Sequence, residues 1–411
     1  MLLTAPDCFS SSHLPFASIK NSTAAVILKR FRLNSVSQTR TSRRLCRASL
    51  ITSPDSFEVG RLIGSYGFMN ITSYSGLRDI EYSSGDLGRL GVQDVGEGSV
   101  KIRLYEGRIA QGPLKGTSVM FKVYPGQRTG GIEADMMAAN ELNAHAFLQW
   151  LAFRSDGKYS AADYAKLTSE KISKNHSAGE SSWNRFETEQ ILKCRRYFVI
   201  KLFQGAMSGL AYMHDHDRLH QSLGPSSVIL NTIVEKDAAY LVPRLRDLSF
   251  SVDISFQNLE EDPGTFSEGL WRRAAAAGAF TPMEKRAFGI ADDVYEAGLL
   301  LAYLAFVTFC EANVMDSLSL QRLLESTFRL DLQATREYCL ADDRLLEAVK
   351  FLDLGEGAGW ELLQVEIVFK VYRLSITPQI LAIYAMLNPD FQQRPIAEAV
   401  INHRFTAGAV L

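Results

Sequence analysis

The sequence predicts an α+β protein in two unequal lobes. The N-terminal lobe is small and β-rich with one main helix, and the C-terminal lobe is larger and helical. Two observations carry this expectation. Strand-like alternation with Gly/Pro punctuation gathers in "VGEGSVKIRLYEGRI", "GPLKG" and "TSVMFKVYPG", from Val95 to Gly126. Apolar residues at helical spacing dominate the second half, most densely in "DDVYEAGLLLAYLAF" from Asp292. With 46% apolar and 22% charged residues over 411 positions, the chain has the composition of a globular protein that buries a sizeable core. The spans that follow are 1–48 as a leader, 49–91 as a lead-in segment and 92–411 as the main domain. Within that domain the division falls at about 92–154 and 155–411.

Charge is distributed unevenly. Residues 1–48 hold eight Lys/Arg against one acid, Asp7, and are rich in Ser and Thr. That composition predicts a disordered organelle transit peptide, and the uncharged start "MLLTAP" favours the chloroplast. The net charge of the chain is −2; without this leader 36 basic and 45 acidic residues remain, a net charge of −9. Nucleic acid is therefore a poor partner, because its binding depends on clustered positive charge. The longest apolar run, "AGLLLAYLAFVTFC" from Ala297, falls short of the roughly 18–20 residues that span a bilayer, so a buried helix is expected and no membrane span. The five cysteines show no metal-ligand spacing, and Cys194, Cys310 and Cys339 read as buried thiols.

In chain order, "GSYGF" at Gly64 reads as a lead-in strand or packing segment. "GIEADMMAANELNAHAFLQ" reads as the helix of the first lobe, followed by a short strand in "WLAFR". Ser160 caps a short helix in "SAADYAKL", and the polar stretch 168–190 is expected to be an exposed loop. "RYFVIKLFQGAMSGLAYMHDH" then places Val199, Leu202, Phe203, Ala206, Leu210 and Met213 on one helical face. "YLVPRLRDLSFSVDI" looks strand-like. Asp292 or Asp293 is expected to begin the apolar helix and to meet its free N–H groups.

Four features bear on chemistry. Gly96 and Gly98 make a turn whose backbone could approach a phosphate, although any hairpin can carry two glycines. Lys122 alternates with Val119, Phe121 and Val123; it is either a solvent-facing lysine or the partner of an acid on the following helix, Glu141 or Glu133. Asp247 follows a strand, where an acid holds a divalent metal or caps a turn. The fourth is "LHQSLGPSSVILN" from Leu219, which has the outline of a catalytic loop without its charged groups.

Taken in order, these segments resemble the eukaryotic protein kinase domain from about Val92 to Phe405. The matching elements are Gly96/Gly98, Lys122, Glu141, "HQSLGPSS", "DLS", "TPME", "DVYEAG" and "NPDFQQRP". "DLS", "DVYEAGLLL" and "GWELL" look closest to the state-transition Ser/Thr kinases of plant thylakoids. The resemblance implies a bilobal fold with ATP and Mg²⁺ as ligands. It implies that Lys122 contacts the α/β-phosphates and pairs with Glu141, and that Asp247 holds the metal. Phe153 would begin the hinge that meets adenine. Glu284 and Arg394 would form a structural ion pair, and Asp293 would brace the loop carrying His220.

The departures concern catalysis. Where such kinases carry the acid that receives the substrate hydroxyl's proton, this chain has Ser222; the phosphate-steadying lysine is Gly224, the second metal ligand is Ser227, and the arginine is Gln221. A positioned acid or base contributes roughly 10²–10⁴-fold, and serine has no accessible ionisation near neutral pH with which to replace it. The resemblance, corrected for these residues, implies a pseudokinase that binds or regulates other plastid proteins, such as an active kinase or a photosynthetic complex. The alternative is an active Ser/Thr kinase with relocated groups, for which Asp215 and Asp217 are the nearest acids. A third possibility is a fold that transfers a group other than phosphate.

Overall fold

A computed structural model of the chain describes residues 4–6, 25–29, 48–50, 53–70, 90–94, 101–125, 127–149, 159–177, 185–260, 267–363 and 385–407. The architecture is mixed α+β, with small antiparallel sheets and a helical larger part. The chain divides into two compact units. The first is 1–69 with 93–156 and 247–251; the second is 70–92 with 157–246 and 252–411.

The first unit is organised by strands β1 (Thr4–Pro6), β2 (Ala25–Lys29), β3 (Ala48–Leu50), β4 (Phe57–Asn70), β6 (Lys101–Ile109) and β7 (Ser118–Val123), while the short β5 (Leu90–Asp94) spans the boundary at 92/93. Helix α1 spans Gln127–Gln149. β1 pairs with β3, and the main sheet runs β2-β7-β6-β4-β5. β6 and β7 are joined by a short turn and pair in register, Leu104 opposite Lys122 and Tyr105 opposite Phe121. Because side chains alternate along a strand, Val119 and Phe121 face one side. There they pack with Ile109, Phe57 and Tyr105, and the Phe57 and Phe121 rings meet edge to face. Lys122 and Tyr124 point to the other side, and both are buried.

Two features of this unit differ from expectation. The strand read at "GSYGF" is present but is no separate lead-in: it belongs to a long strand, Phe57–Asn70, paired with β6 through Tyr66↔Ile102 and its neighbours, with two register shifts. β2, "AVILK", lies within the stretch expected to be disordered and pairs with β7 from Ala25↔Val123 to Lys29↔Val119. A β-branched run can complete an open sheet edge whatever its flanks look like. Gly96, Gly98, the "WLAFR" strand and Phe153 lie outside the described residues.

The second unit begins with β8 (Tyr159–Ser160), α2 (Ala161–Ser177) and α3 (Arg185–Asp215). Ser160 and Asp163 cap α2 reciprocally: Asp163 N–H donates to Ser160 Oγ at 3.1 Å, while Ser160 N–H donates to Asp163 Oδ2 at 2.8 Å. α2 runs well past the expected short helix, and α3 starts at Arg185, so most of 168–190 is helical rather than an exposed loop. The polar residues that suggested a loop are used inside: Thr168 and Ser169 are buried, and Ser169 Oγ donates to Cys310 O at 2.9 Å. The α3 face Val199, Leu202, Phe203, Ala206, Leu210 and Met213 is buried throughout.

Next come β9 (Arg218–Leu219), β10 (Val228–Leu230), β11 (Arg244–Leu245) and β12 (Val252–Asp253), then α4 (Phe256–Glu260), α5 (Glu268–Ala276) and α6 (Pro282–Phe309). β10 lies between β8 and β11, and β9 pairs with β12. The strand-like segment "YLVPRLRDLSFSVDI" holds two short strands, β11 and β12. Between them a 3₁₀ turn over Leu248–Phe250 interrupts it.

α6 is the axis of this unit and starts ten residues before Asp292. Thr281 and Glu284 form a capping box with Pro282 in the first turn, so Asp292 and Asp293 lie inside the helix and do not cap it. The apolar run from Ala297 is buried on nearly all sides. Among the described residues no helix is long and apolar enough to cross a membrane. Later helices α7 (Ser317–Gln321), α8 (Leu332–Leu340), α9 (Leu346–Leu352), α10 (Leu354–Leu363) and α11 (Ala397–Asn402) complete the unit. Its aromatic core stacks Phe309 on Phe351 with ring centroids 4.7 Å apart, and Phe405 meets Phe351 edge to face.

Candidate functional site

The first constellation is an ion cluster inside the first unit. Lys122 Nζ donates to Glu141 Oε2 and to Asp247 Oδ1, both at 2.6 Å. All three side chains are at most 3% exposed. Lys122 reaches α1 because residues 120, 122 and 124 share a strand face. Glu141 is presented by α1, and Asp247 by the turn that leads into Leu248–Phe250. Asp247 adopts a left-handed backbone, φ 65° and ψ 55°, which aspartate tolerates better than most residues. The side chain of Glu133, the other candidate partner, lies outside the described residues.

Burying one cation with two carboxylates is costly unless further donors reach the oxygens. Here Tyr124 OH and Ser249 Oγ both approach Glu141 Oε2, the latter at 2.9 Å, and they lie 2.6 Å from one another. Two hydroxyl protons serve three close O···O contacts, so the network shares its protons rather than fixing each. Asn140 Nδ2 donates to Ser249 O at 2.7 Å and Ser251 O at 3.0 Å, tying the same turn to α1. One helical turn beyond Glu141, His145 Nε2 lies 3.4 Å from Glu141 Oε1. Burial alone would raise Glu141; the Lys122 ammonium and His145 outweigh it and hold the carboxyl well below the usual range. Burial lowers His145, opposed in part by Glu141.

The second constellation is the loop Leu219–Asn231 in the second unit. The Asp293 carboxylate, wholly buried, accepts the N–H of His220 at 2.7 Å and of Gln221 at 2.9 Å. It also accepts Gln221 Nε2 at 3.0 Å and lies 3.0 Å from His214 Nε2. Glu296, one turn along α6, accepts Leu223 N–H at 3.1 Å. Gln221 sits at φ 59°, a left-handed position held by its two bonds to Asp293. His220 Nε2 lies 3.0 Å from Arg246 O, and a carbonyl can only accept, so Nε2 carries the proton. Nδ1 is then the acceptor for Ser222 N–H at 3.3 Å.

The side chains where catalytic groups were sought are engaged within the loop. Ser222 Oγ lies 3.5 Å from His220 Nδ1. Ser227 Oγ accepts Gly224 N–H at 2.9 Å and donates to Gly224 O at 2.8 Å, closing a tight turn. A Cβ built on Gly224 meets nothing within 4 Å, so this position has room for a side chain and lacks one.

Glu284 and Arg394, expected to pair, do not pair among the described residues. Glu284 caps α6, accepting the N–H groups of Phe280 and Thr281. Arg394 donates to the carbonyls of Asn388 at 2.7 Å and Ala291 at 3.2 Å, with its guanidinium 4.7 Å from the Tyr295 ring centre. The buried bidentate pair near this point is instead Arg273 with Asp292. Asp217 is paired with Arg286, and Asp215 is exposed at the end of α3. Among the described residues no group of three or more His, Cys, Asp and Glu is arranged to hold a metal ion.

The sequence reading missed Tyr124, Asn140, His145, Ser249 and Glu296. Three carried a positional signal: Tyr124 is two residues after Lys122 on a strand, His145 four after Glu141 on a helix, and Glu296 three after Asp293. Asn140 and Ser249 carried none. No protein-family model matches this chain, and comparison with curated proteins finds no match either.

Proposed function

We propose that this chain is a protein-kinase-like binding and regulatory module of the plastid, a pseudokinase with little or no phosphotransfer. The observation that carries the reading is the state of the loop from His220 to Ser227. Asp293 and Glu296 hold its backbone firmly, yet Ser222 and Ser227 are turned to local hydrogen bonds and no carboxylate stands at position 222. An anchored loop without an acid keeps a shape and gives up the chemistry that acid would perform.

ATP is the ligand this reading favours. Lys122, positioned by Glu141, would meet its phosphates, and Asp247 would hold Mg²⁺ beside them. Bound nucleotide then serves as a conformational ligand, favouring whichever state binds it more tightly. Other plastid proteins, among them an active kinase or a photosynthetic complex, are the partners proposed.

The test uses purified protein, with Mg²⁺-dependent ATP binding followed by thermal shift and phosphate incorporation followed on itself and a generic substrate. Binding that disappears in Lys122→Ala and Asp247→Asn, without incorporation, is the expected result. Incorporation abolished by Lys122→Ala would overturn the pseudokinase reading.

A further inference from the structure

The ammonium of Lys122 is the group an anionic ligand would need, and Asp247 already lies on it at 2.6 Å. A lysine has three protons to donate, and two are directed at Glu141 and Asp247. Glu141 is fixed by helix α1. Asp247 belongs to a five-residue turn, 247–251, which four further contacts join to α1 and to Tyr124. Ser249 Oγ meets Glu141 and Tyr124 OH, and Asn140 Nδ2 bridges the carbonyls of Ser249 and Ser251. Each joins the turn to a rigid element, β7 with its following residue or α1.

We infer that Asp247 is a built-in competitor for Lys122, latched in place by Tyr124, Asn140 and Ser249, so that a polyphosphate anion gains Lys122 only when the 247–251 turn is released. This rests on the proposal that Lys122 receives nucleotide phosphates, and adds how access to it is regulated. An incoming anion must replace a carboxylate contact that is buried and close, and must break the latch bonds as the turn leaves. Its apparent affinity is therefore reduced by the fraction of molecules in which the turn is open. Loosening the latch raises that fraction without touching Lys122.

The experiment titrates inorganic tripolyphosphate, and separately ATP, onto the full chain in the absence of Mg²⁺. Wild type, Tyr124→Phe, Asn140→Ala and Asp247→Asn are compared by calorimetry, and amide hydrogen exchange over 247–251 reports whether the latch has opened. Tyr124→Phe keeps the buried ring and loses only the hydroxyl, so the fold is retained. Latch variants are expected to exchange faster at 247–251 and to bind tripolyphosphate about tenfold more tightly, the equivalent of one net hydrogen bond. Asp247→Asn should also bind the Mg²⁺-free anion more tightly, although the proposed function has it lose Mg²⁺-dependent ATP binding. Equal affinity in wild type and in variants whose turn has opened would overturn the latch and leave the nucleotide reading standing. No anion binding in any variant, with the turn shown to be open, would overturn the latch, and a wild type that also fails to bind ATP with Mg²⁺ present would overturn the nucleotide reading with it. Tighter binding of ATP than of tripolyphosphate in the open variants would assign the extra affinity to the nucleoside.

Discussion

Gln221 meets Asp293 twice at one oxygen, through its backbone N–H at 2.9 Å and its side-chain Nε2 at 3.0 Å. Both bonds hold a residue whose backbone is left-handed, φ 59°. Removing the side-chain bond while keeping a Cβ should cost about 1 kcal/mol, so Gln221→Ala is expected to lower the melting temperature. Gln221→Gly loses the same bond but relieves the left-handed strain, and should melt above Gln221→Ala. Asp293→Ala strands several buried donors at once and should be the most damaging of the three, at about 1–3 kcal/mol per stranded group. Thermal melts of the three variants check that order.

Lys122→Met leaves Glu141 and Asp247 buried side by side without their cation. The expected loss is about 3–5 kcal/mol, which chemical denaturation will read directly. The double variant Lys122→Met with Asp247→Asn should recover part of it, since one uncompensated charge has gone.

Acid should weaken the first unit in two steps. His145 is pushed below its ordinary 6.5 by burial, so the folded state resists protonation. Its stabilisation is complete above pH 6.5 and is lost as pH falls below that value towards the depressed one. Glu141 would be raised by burial but is held well below 4.5 by Lys122 and His145; its contribution is complete above that pH and is lost on further acidification. His145→Asn should flatten the upper part of the decline and leave the lower part. A series of melts from pH 8 down to about pH 2 will show whether it does.

Burial pushes the thiols of Cys310 and Cys339 up to about 12. Both should resist iodoacetamide at pH 8 in the native protein and react at the rate of unfolding. Mass spectrometry of pulse-labelled peptides at increasing denaturant measures this, with native-state labelling of either thiol as the contrary result.

The open space at Gly224 suggests a gain-of-function test. Ser222→Asp with Gly224→Lys should raise phosphate incorporation by at least roughly 10² over wild type if absent groups are what limit it. Adding Ser227→Asn breaks the two Ser227–Gly224 bonds and should lower the melting temperature further. Incorporation is followed with labelled ATP and a generic protein substrate.

The sequence alone determined those features whose signal is local and periodic. The burial of one α3 face and the apolar interior of α6 follow from apolar spacing, and Lys122 and Glu141 were legible because a strand lysine and a helix acid carry their own context. Where side chains serve a distant partner, the sequence was silent. Thr168 and Ser169 looked like loop residues and are buried in a helix, because their hydroxyls bond to backbone carbonyls. Asp292 and Asp293 looked like a helix start and lie inside one, where folding brings Arg273 and the His220–Gln221 backbone to them. Only the tertiary structure decided that Lys122 serves two carboxylates, and that Ser249 and Tyr124 complete the cluster. Positions 122 and 247 are far apart in the chain, and nothing in the composition of either stretch encodes the contact; packing of α1 against the sheet and the 247–251 turn creates it.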